Sequence, residues 1–233
     1  MGQTTFIIGD VHGCLDSLNA LIAALNLCAG DQIIFAGDLV HKGPDSEGVV
    51  RRVMALAEGY DVVLIRGNHE EKALKQRALN LVDEEWAFLA SAQLWYAASG
   101  FVVTHGGIPS ELEALPTDPR SVDALSNSKR KHFDRMCRTR FLSPEGKFVA
   151  LMDVTDQDKF WAETYDGRFG FVYFGHEPFY RATSPVCYDH AMGLDLGCVF
   201  GGHLCAAELK DGRFATFHTV KAVERFAEPF DTE

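Results

Sequence analysis

The sequence lacks any apolar run approaching the ~18 residues of a membrane-spanning helix, and its six cysteines form no CxxC pair and no regular framework. The first absence excludes a helical membrane protein. The second points to reduced, mostly buried thiols and a cytoplasmic setting rather than a disulfide scaffold. No secretory leader is read at the N-terminus, because a β-rich run and the first polar motif fall within ten residues. Met1-Gly2 would open a myristoylation motif, but Phe6 stands where that motif wants Ser or Thr. Positive charge is also scarce. With 22 Lys and Arg against 33 Asp and Glu, the net charge of −11 argues against a general nucleic-acid or membrane-surface binder. It leaves room for a small anionic substrate, because bound metal ions dominate the local field of a site. No repeat or low-complexity tract interrupts the chain, and nothing in it fixes an oligomeric state.

What is present is a 233-residue chain with 47% hydrophobic residues, enough for one large α/β domain with a full core. Six short polar blocks punctuate it: Gly9-Asp10-Val11-His12-Gly13, Gly37-Asp38, Gly67-Asn68-His69-Glu70, His105-Gly106-Gly107, Gly175-His176 and Gly193-Leu194-Asp195. Five follow β-branched or aromatic runs such as Phe6-Ile7-Ile8 and Ile33-Ile34-Phe35, the pattern of strands buried on both faces. Ligands placed just past several strands on glycine-eased turns converge at one edge of a sheet.

Between these runs, Leu18, Leu21, Ile22 and Leu25 predict an amphipathic helix over 16–27. Pro44-Asp45-Ser46 marks a second helix start, and a charged helix is expected from about Glu70 to Ala97. Residues 1–225 read as a single domain, with an excursion over the site around 109–160 where Pro109, Pro116 and Pro119 cluster. Short β-like runs follow His176 and end around 215–220, and 226–233 reads as a loose tail. Trp161, Tyr165, Phe179 and Tyr180 are read mainly as core or cap packing.

Asp10 and His12 flank one residue, so in an extended segment both side chains would point the same way, toward one ion. Asp38 arrives one helix and one strand later, and its carboxylate can bridge two ions. Asn68, His105 and His176 then complete a second ion. Oxygen and imidazole donors without thiolate suit two divalent ions, Mn²⁺ first, with Fe, Co or Zn²⁺ as alternatives.

Together the blocks resemble the signature GDxHG, GDxVDRG, GNHE, HGG and GH of the phosphoprotein-phosphatase group of calcineurin-like metallophosphoesterases, over residues 5–210. The resemblance implies a four-layer αββα sandwich of two mixed β-sheets flanked by helices, with a dinuclear metal site at the strand ends. It assigns Asp10, His12 and Asp38 to one metal, and Asp38, Asn68, His105 and His176 to the other. A hydroxide bridging the ions would attack phosphorus in line, with His69 donating a proton or stabilising charge at the leaving oxygen. Arg66, in the family's RGNHE form, would reach a phosphate oxygen, as would Lys42 and Arg140.

The departures are informative. The second block runs Gly37-Asp38-Leu39-Val40-His41-Lys42-Gly43-Pro44-Asp45-Ser46, with His41 in place of the aspartate that would orient His69 and Lys42 in place of arginine. This form resembles the ApaH-like phosphatases, relatives of diadenosine tetraphosphatase, as does the stretch 193–202. Losing the orienting anion weakens proton donation, which a serine alkoxide leaving group needs and a phosphate leaving group does not. Lys42 is a mobile point charge where arginine would grip one phosphate bidentately. The expected function is therefore hydrolysis of phosphoanhydride bonds in nucleoside polyphosphates such as diadenosine tetraphosphate. A protein serine/threonine phosphatase and an inorganic endopolyphosphatase are the alternatives within the fold, and a scaffold without catalysis the one outside it. Asp45 or another carboxylate could orient His69 instead of the missing aspartate.

Overall fold

The apolar runs become strands. In the computed structural model, which describes residues 3–229, strands β1 (Thr4–Ile8), β2 (Gln32–Phe35) and β3 (Asp61–Leu64) alternate with helices α1 (Leu15–Ala24) and α2 (Ser46–Ala57). Helices α3 (Asn68–Gln76) and α4 (Asp83–Ala90) precede a hairpin of β4 (Trp95–Ala98) and β5 (Phe101–Thr104). The excursion carries α5 (Asn127–Asp134) and three two-residue strands, β6 (Phe141–Leu142), β7 (Phe148–Val149) and β8 (Lys159–Phe160). A short α6 (Trp161–Thr164) leads to β9 (Phe171–Phe174), β10 (Val186–Cys187), β11 (Ala191–Gly193), β12 (His203–Lys210) and β13 (Arg213–Lys221).

Two five-stranded mixed sheets form, in the orders β13-β12-β1-β2-β3 and β10-β11-β9-β5-β4. In the first, β1, β2 and β3 are parallel, with Ile7 opposite Ile34 and Ile34 opposite Val63. Parallel pairing demands cover on both faces. The inner face supplies it sheet to sheet, where Ile7, Ile34, Ile65 and Ala207 meet Phe101, Val103, Tyr173 and Met192. Burying a side chain such as Ile7 or Ile34, each 0% exposed, contributes roughly 1.5–3 kcal/mol. The outer face of the first sheet is covered by Leu18 and Leu21 of α1 and Val49, Val50 and Val53 of α2. Leu112, Phe133, Met136 and Trp161, from the excursion and its end, cover the second sheet. The result is the expected layering of two sheets flanked by helices.

The helix expected over 70–97 is instead two helices and a strand. Arg77 closes α3 in the left-handed conformation (φ 52°), and Glu85 restarts the chain by accepting the Val82 N–H at 2.9 Å. Gly100 (φ 92°) then turns Trp95–Ala98 back antiparallel onto β5. The last strands are longer than expected, because Asp211 and Gly212 (φ 51° and 74°) form a tight turn joining an eight- to a nine-residue strand. Phe226 and Ala227, where the loose tail was expected to begin, donate backbone hydrogen bonds to Val199; residues 230–233 lie outside the described part. Among the described residues no helix is long and apolar enough to cross a membrane.

Candidate metal centre

The carboxyl ends of β1, β2, β3, β5 and β9 bring the polar blocks to one edge of the sandwich, each ligand candidate one to four residues past its strand. The convergence of Asp10 and His12 does not come from an extended segment. His12 is left-handed (φ 47°), and the N–H groups of Val11 and His12 donate to the Asp38 carbonyl at 3.1 and 2.8 Å. A tight turn anchored on the Asp38 loop, not strand alternation, aims both side chains inward. Asp38, His41, Lys42 and His176 are left-handed as well. Such backbones cost on the order of 1–3 kcal/mol each and persist where surrounding bonds hold them. Two glycines are required by close approach. A Cβ on Gly67 would stand 2.0 Å from Asp38 Oδ1, and one on Gly175 2.0 Å from Asp10 Oδ1.

Asp38 Oδ2 is the common point of the cluster. His105 Nε2 lies 3.3 Å away, His12 Nε2 3.6 Å and His69 Nε2 4.0 Å. Two groups of donor atoms therefore share Asp38: one with His12 and His69, the other with His105 and His176. Asp10 Oδ2 is 4.0 Å from His12 Nε2, and Asn68 Oδ1 is 3.2 Å from His105 Nε2. His105 Nδ1 faces the Ala36 carbonyl at 2.9 Å and His12 Nδ1 the Val40 carbonyl at 3.2 Å. A carbonyl only accepts, so both rings carry a proton on Nδ1, and the neutral form of each turns its Nε2 lone pair inward. His176 Nε2 is buried with no hydrogen-bond partner. An orphaned ring nitrogen beside a shared carboxylate, with oxygen and imidazole donors all around, is the donor chemistry of a divalent cation site.

The electrostatics agree. Burial raises Asp10 well above the usual carboxylate range, and repulsion from Asp195 and Asp38 adds to it. Burial also pushes Asp195 up to about 6. For Asp38 burial acts upward too, but His105, His69 and His12 outweigh it and hold the group well below its ordinary value. Burial lowers His12 to about 3 and, with Arg140 and His105, lowers His176 far below the imidazole range. Burial acts downward on His105 as well, but Asp38 and Glu70 outweigh it and raise that ring above its ordinary value. Neutral His12 and His176 beside crowded buried carboxylates make a place where bound cations would be stabilised.

Beside the donors, His69 is 1% exposed, and its Nδ1 lies 3.1 Å from His41 Nδ1. His41 thus occupies by contact the orienting position that its sequence position suggested, with an imidazole instead of a carboxylate. Asp45 has a structural task, capping α2 by accepting the Gly48 N–H at 2.7 Å. Lys42 packs over the Phe200 ring at 5.2 Å and acts electrostatically on Asp10, His12 and Asp195. Arg140 reaches the cluster edge, donating to the His176 carbonyl at 2.7 Å and pairing with Glu177 at 2.9 Å. Arg66 is held elsewhere. Its Nη2 donates to the Ala92 carbonyl at 2.8 Å, and the side chain lines a separate cavity with Leu94, Arg120 and Asp123. The Ala92 carbonyl, two residues past the end of α4, holds one end of the guanidinium away from the cluster.

Two residues emerge that the sequence reading left without a defined role at the centre. Glu70, the last residue of its polar block and the expected start of a helix, is 1% exposed and accepts three backbone N–H groups: Asp38 at 2.7 Å, Leu39 at 2.8 Å and Gly67 at 2.8 Å. It ties the loop carrying Asp38 to the helix start carrying Asn68. Asp195, 3% exposed, accepts the Gly197 N–H at 2.8 Å and faces Asp10 electrostatically. Besides its membership of the GNHE block, the sequence signal for Glu70 is its place three residues after Gly67, where a glutamate reaches back to the start of its helix.

Comparison with known proteins agrees with this geometry. The family model for calcineurin-like phosphoesterases matches residues 4–207. The chain is 30% identical to a symmetrical bis(5'-nucleosyl)-tetraphosphatase of Ralstonia nicotianae, over 87% of this chain and 88% of the relative. It is 26% identical to an asymmetrical bis(5'-nucleosyl)-tetraphosphatase of Oceanobacillus iheyensis, covering 90% of each. A solved structure of a candidate diadenosine tetraphosphatase superposes with a TM-score of 0.73 at 27% identity, covering 95% of each chain. Sequence blocks, two-sheet fold and paired donor groups converge, and the chain belongs to the calcineurin-like phosphoesterases, hydrolases of a family that works with divalent metal ions.

Proposed function

We propose that the chain hydrolyses phosphoanhydride bonds of nucleoside polyphosphates, with dinucleoside tetraphosphates as the substrate class. The observation that carries this reading is the partner of His69: an imidazole, His41, 3.1 Å away. An imidazole at this position cannot give His69 the anionic support that an aspartate there would, which suits a phosphate leaving group better than an alkoxide. The names of the relatives point the same way. Two divalent ions, Mn²⁺ by preference, would neutralise phosphoryl oxygens and lower the pKa of water at the centre.

In this scheme Asp10, His12 and Asp38 hold one ion, and Asp38, Asn68, His105 and His176 the other. His69 would stand at the leaving oxygen, and Lys42 and Arg140 would engage phosphate oxygens. Glu70 keeps the two ligand loops in register. The six cysteines, four of them buried and none bonded to another, fit a proposed cytoplasmic setting.

A substrate panel with Mn²⁺ tests the reading: diadenosine tetraphosphate, ATP, inorganic polyphosphate, capped RNA and a phosphoserine peptide. Dinucleoside polyphosphate is expected to give the highest kcat/KM. A phosphoserine peptide in first place would replace this function with protein dephosphorylation.

A further inference from the structure

Beside the centre, an open cavity of ≈ 330 Å³ is lined by Asn68, Lys72, Lys75, Gln76 and Arg138. We propose that this cavity is a subsite for the phosphates of a polyphosphate chain beyond the one under attack, held by Lys72, Lys75 and Arg138. The inference rests on the anhydride reading above and names where the rest of that substrate lies.

The placement follows from the fold. Asn68 opens α3, and Lys72, Lys75 and Gln76 recur at helical spacing on the same side of it. From Asn68 to Lys75 the helix rises ~10 Å, long enough to track several linked phosphates away from the centre. The opposite wall is fixed to the other ligand loop. Gly106, next to His105, donates to the Met136 carbonyl at 2.7 Å, and Gly107 donates to the Thr139 carbonyl at 2.8 Å. This pins the segment carrying Arg138 against the site, and Glu71 pairs with the Arg138 guanidinium. Both walls therefore begin at proposed metal ligands.

The charge is as telling as the position. In a chain of net charge −11, three of the five lining residues are cationic and none is acidic. Lys72, Lys75 and Arg138 all reach the surface, with the Arg138 guanidinium positioned by its pair with Glu71. Two flexible lysines suit a row of phosphates, because a point charge settles on whichever oxygen comes near. A serine phosphomonoester carries no such chain and would leave the cavity unused.

The test compares kcat/KM for diadenosine tetraphosphate and for inorganic polyphosphate with that for p-nitrophenyl phosphate, which has a single phosphate, on the full Mn²⁺-loaded chain. In Lys72→Met/Lys75→Met the ratio of either long substrate to the short one should fall about 5- to 10-fold, chiefly through KM, the scale of two exposed charge contacts. Lys72→Arg/Lys75→Arg should restore most of the ratio. Lys210→Met, on the distant β12–β13 hairpin, controls for net charge and should leave the ratio alone. An unchanged ratio in the double Met variant, or an equal fall in Lys210→Met, would overturn the subsite while leaving the anhydride reading intact. A fall confined to the dinucleotide would also overturn it, by assigning the cavity to the nucleoside. If the native chain cleaved p-nitrophenyl phosphate but no anhydride, functional reading and subsite would fall together.

Discussion

Replacing Glu70 by glutamine should loosen the centre without touching a proposed ligand. The carboxylate accepts three backbone N–H groups, from Asp38, Leu39 and Gly67. An amide has one acceptor oxygen. Placed where Oε2 now stands, that oxygen keeps Asp38 and Gly67, and its NH₂ then faces the Leu39 N–H. One charge-assisted bond is lost and two become neutral; hydrogen bonds to charged groups contribute about 1.5–3 kcal/mol. Part of the loss is offset, because burial and the nearby Asp38 already raise Glu70 above its ordinary range, and a neutral amide escapes that cost. The net expectation is a loss of about 2–3 kcal/mol in the urea unfolding of the metal-free chain. Because the Asp38 and Asn68 loops lose their common tie, Mn²⁺ affinity measured by titration calorimetry should fall roughly 10- to 100-fold. A variant within ~0.5 kcal/mol of native stability and binding Mn²⁺ as tightly would refute the view of Glu70 as the clamp.

Three other outcomes are expected. Asn68→Ala and His176→Ala should each lose about one ion per chain by metal analysis, whereas His69→Asn should keep both and slow turnover by roughly 10²–10⁴-fold; equal metal loss in all three would refute that division of roles. His41→Asp with Lys42→Arg, at matched metal loading, should raise phosphoserine-peptide activity relative to diadenosine tetraphosphate by roughly 10- to 100-fold, the effect of one oriented charged hydrogen bond. Equal losses on both substrates would contradict the role given to His41. In the metal-free chain, Asp195 holds its proton up to about 6 against 3.8 for an ordinary aspartate. The folded state thus binds more protons than the unfolded chain between those values, and stability falls as pH rises through that window. Asp195→Asn can still accept the Gly197 N–H, so it should remove this slope and stabilise the metal-free chain by about 1–3 kcal/mol at pH 8 and by little at pH 4. Parallel denaturation curves of variant and native chain at the two pH values would be the contrary result.

The strand-end motifs were legible because each polar block follows an apolar run by a few residues, which limits where its side chains can go. Runs such as Phe6-Ile7-Ile8 and Phe101-Val102-Val103 could hardly be anything but buried strands. The geometry within a block was less legible. Asp10 and His12 converge through a left-handed turn at His12, and nothing in the spacing distinguishes that turn from an extended pair. The break at Arg77 carries no glycine or proline, so α3 and α4 read as one helix. The return at Ser99-Gly100 and the turn at Asp211-Gly212 do carry turn chemistry, which favours a reversal over a continuing helix or a short strand. Arg66 shows what a motif leaves open: its place before Gly67-Asn68 suggests a phosphate contact, and only the fold shows that its Nη2 donates to the Ala92 carbonyl. Glu70 and the groove of Lys72, Lys75 and Arg138 depend on segments far apart in sequence, which no local pattern joins.

The most direct test of two-ion anhydride hydrolysis is to titrate Mn²⁺ into the metal-free chain while following diadenosine tetraphosphate cleavage and bound metal in the same samples. Turnover should be absent without metal, rise with loading and level off at two ions per chain, with nucleotide products released. Full turnover in the metal-free chain, or two bound ions with no cleavage of the dinucleotide but rapid cleavage of a phosphoserine peptide, would contradict it.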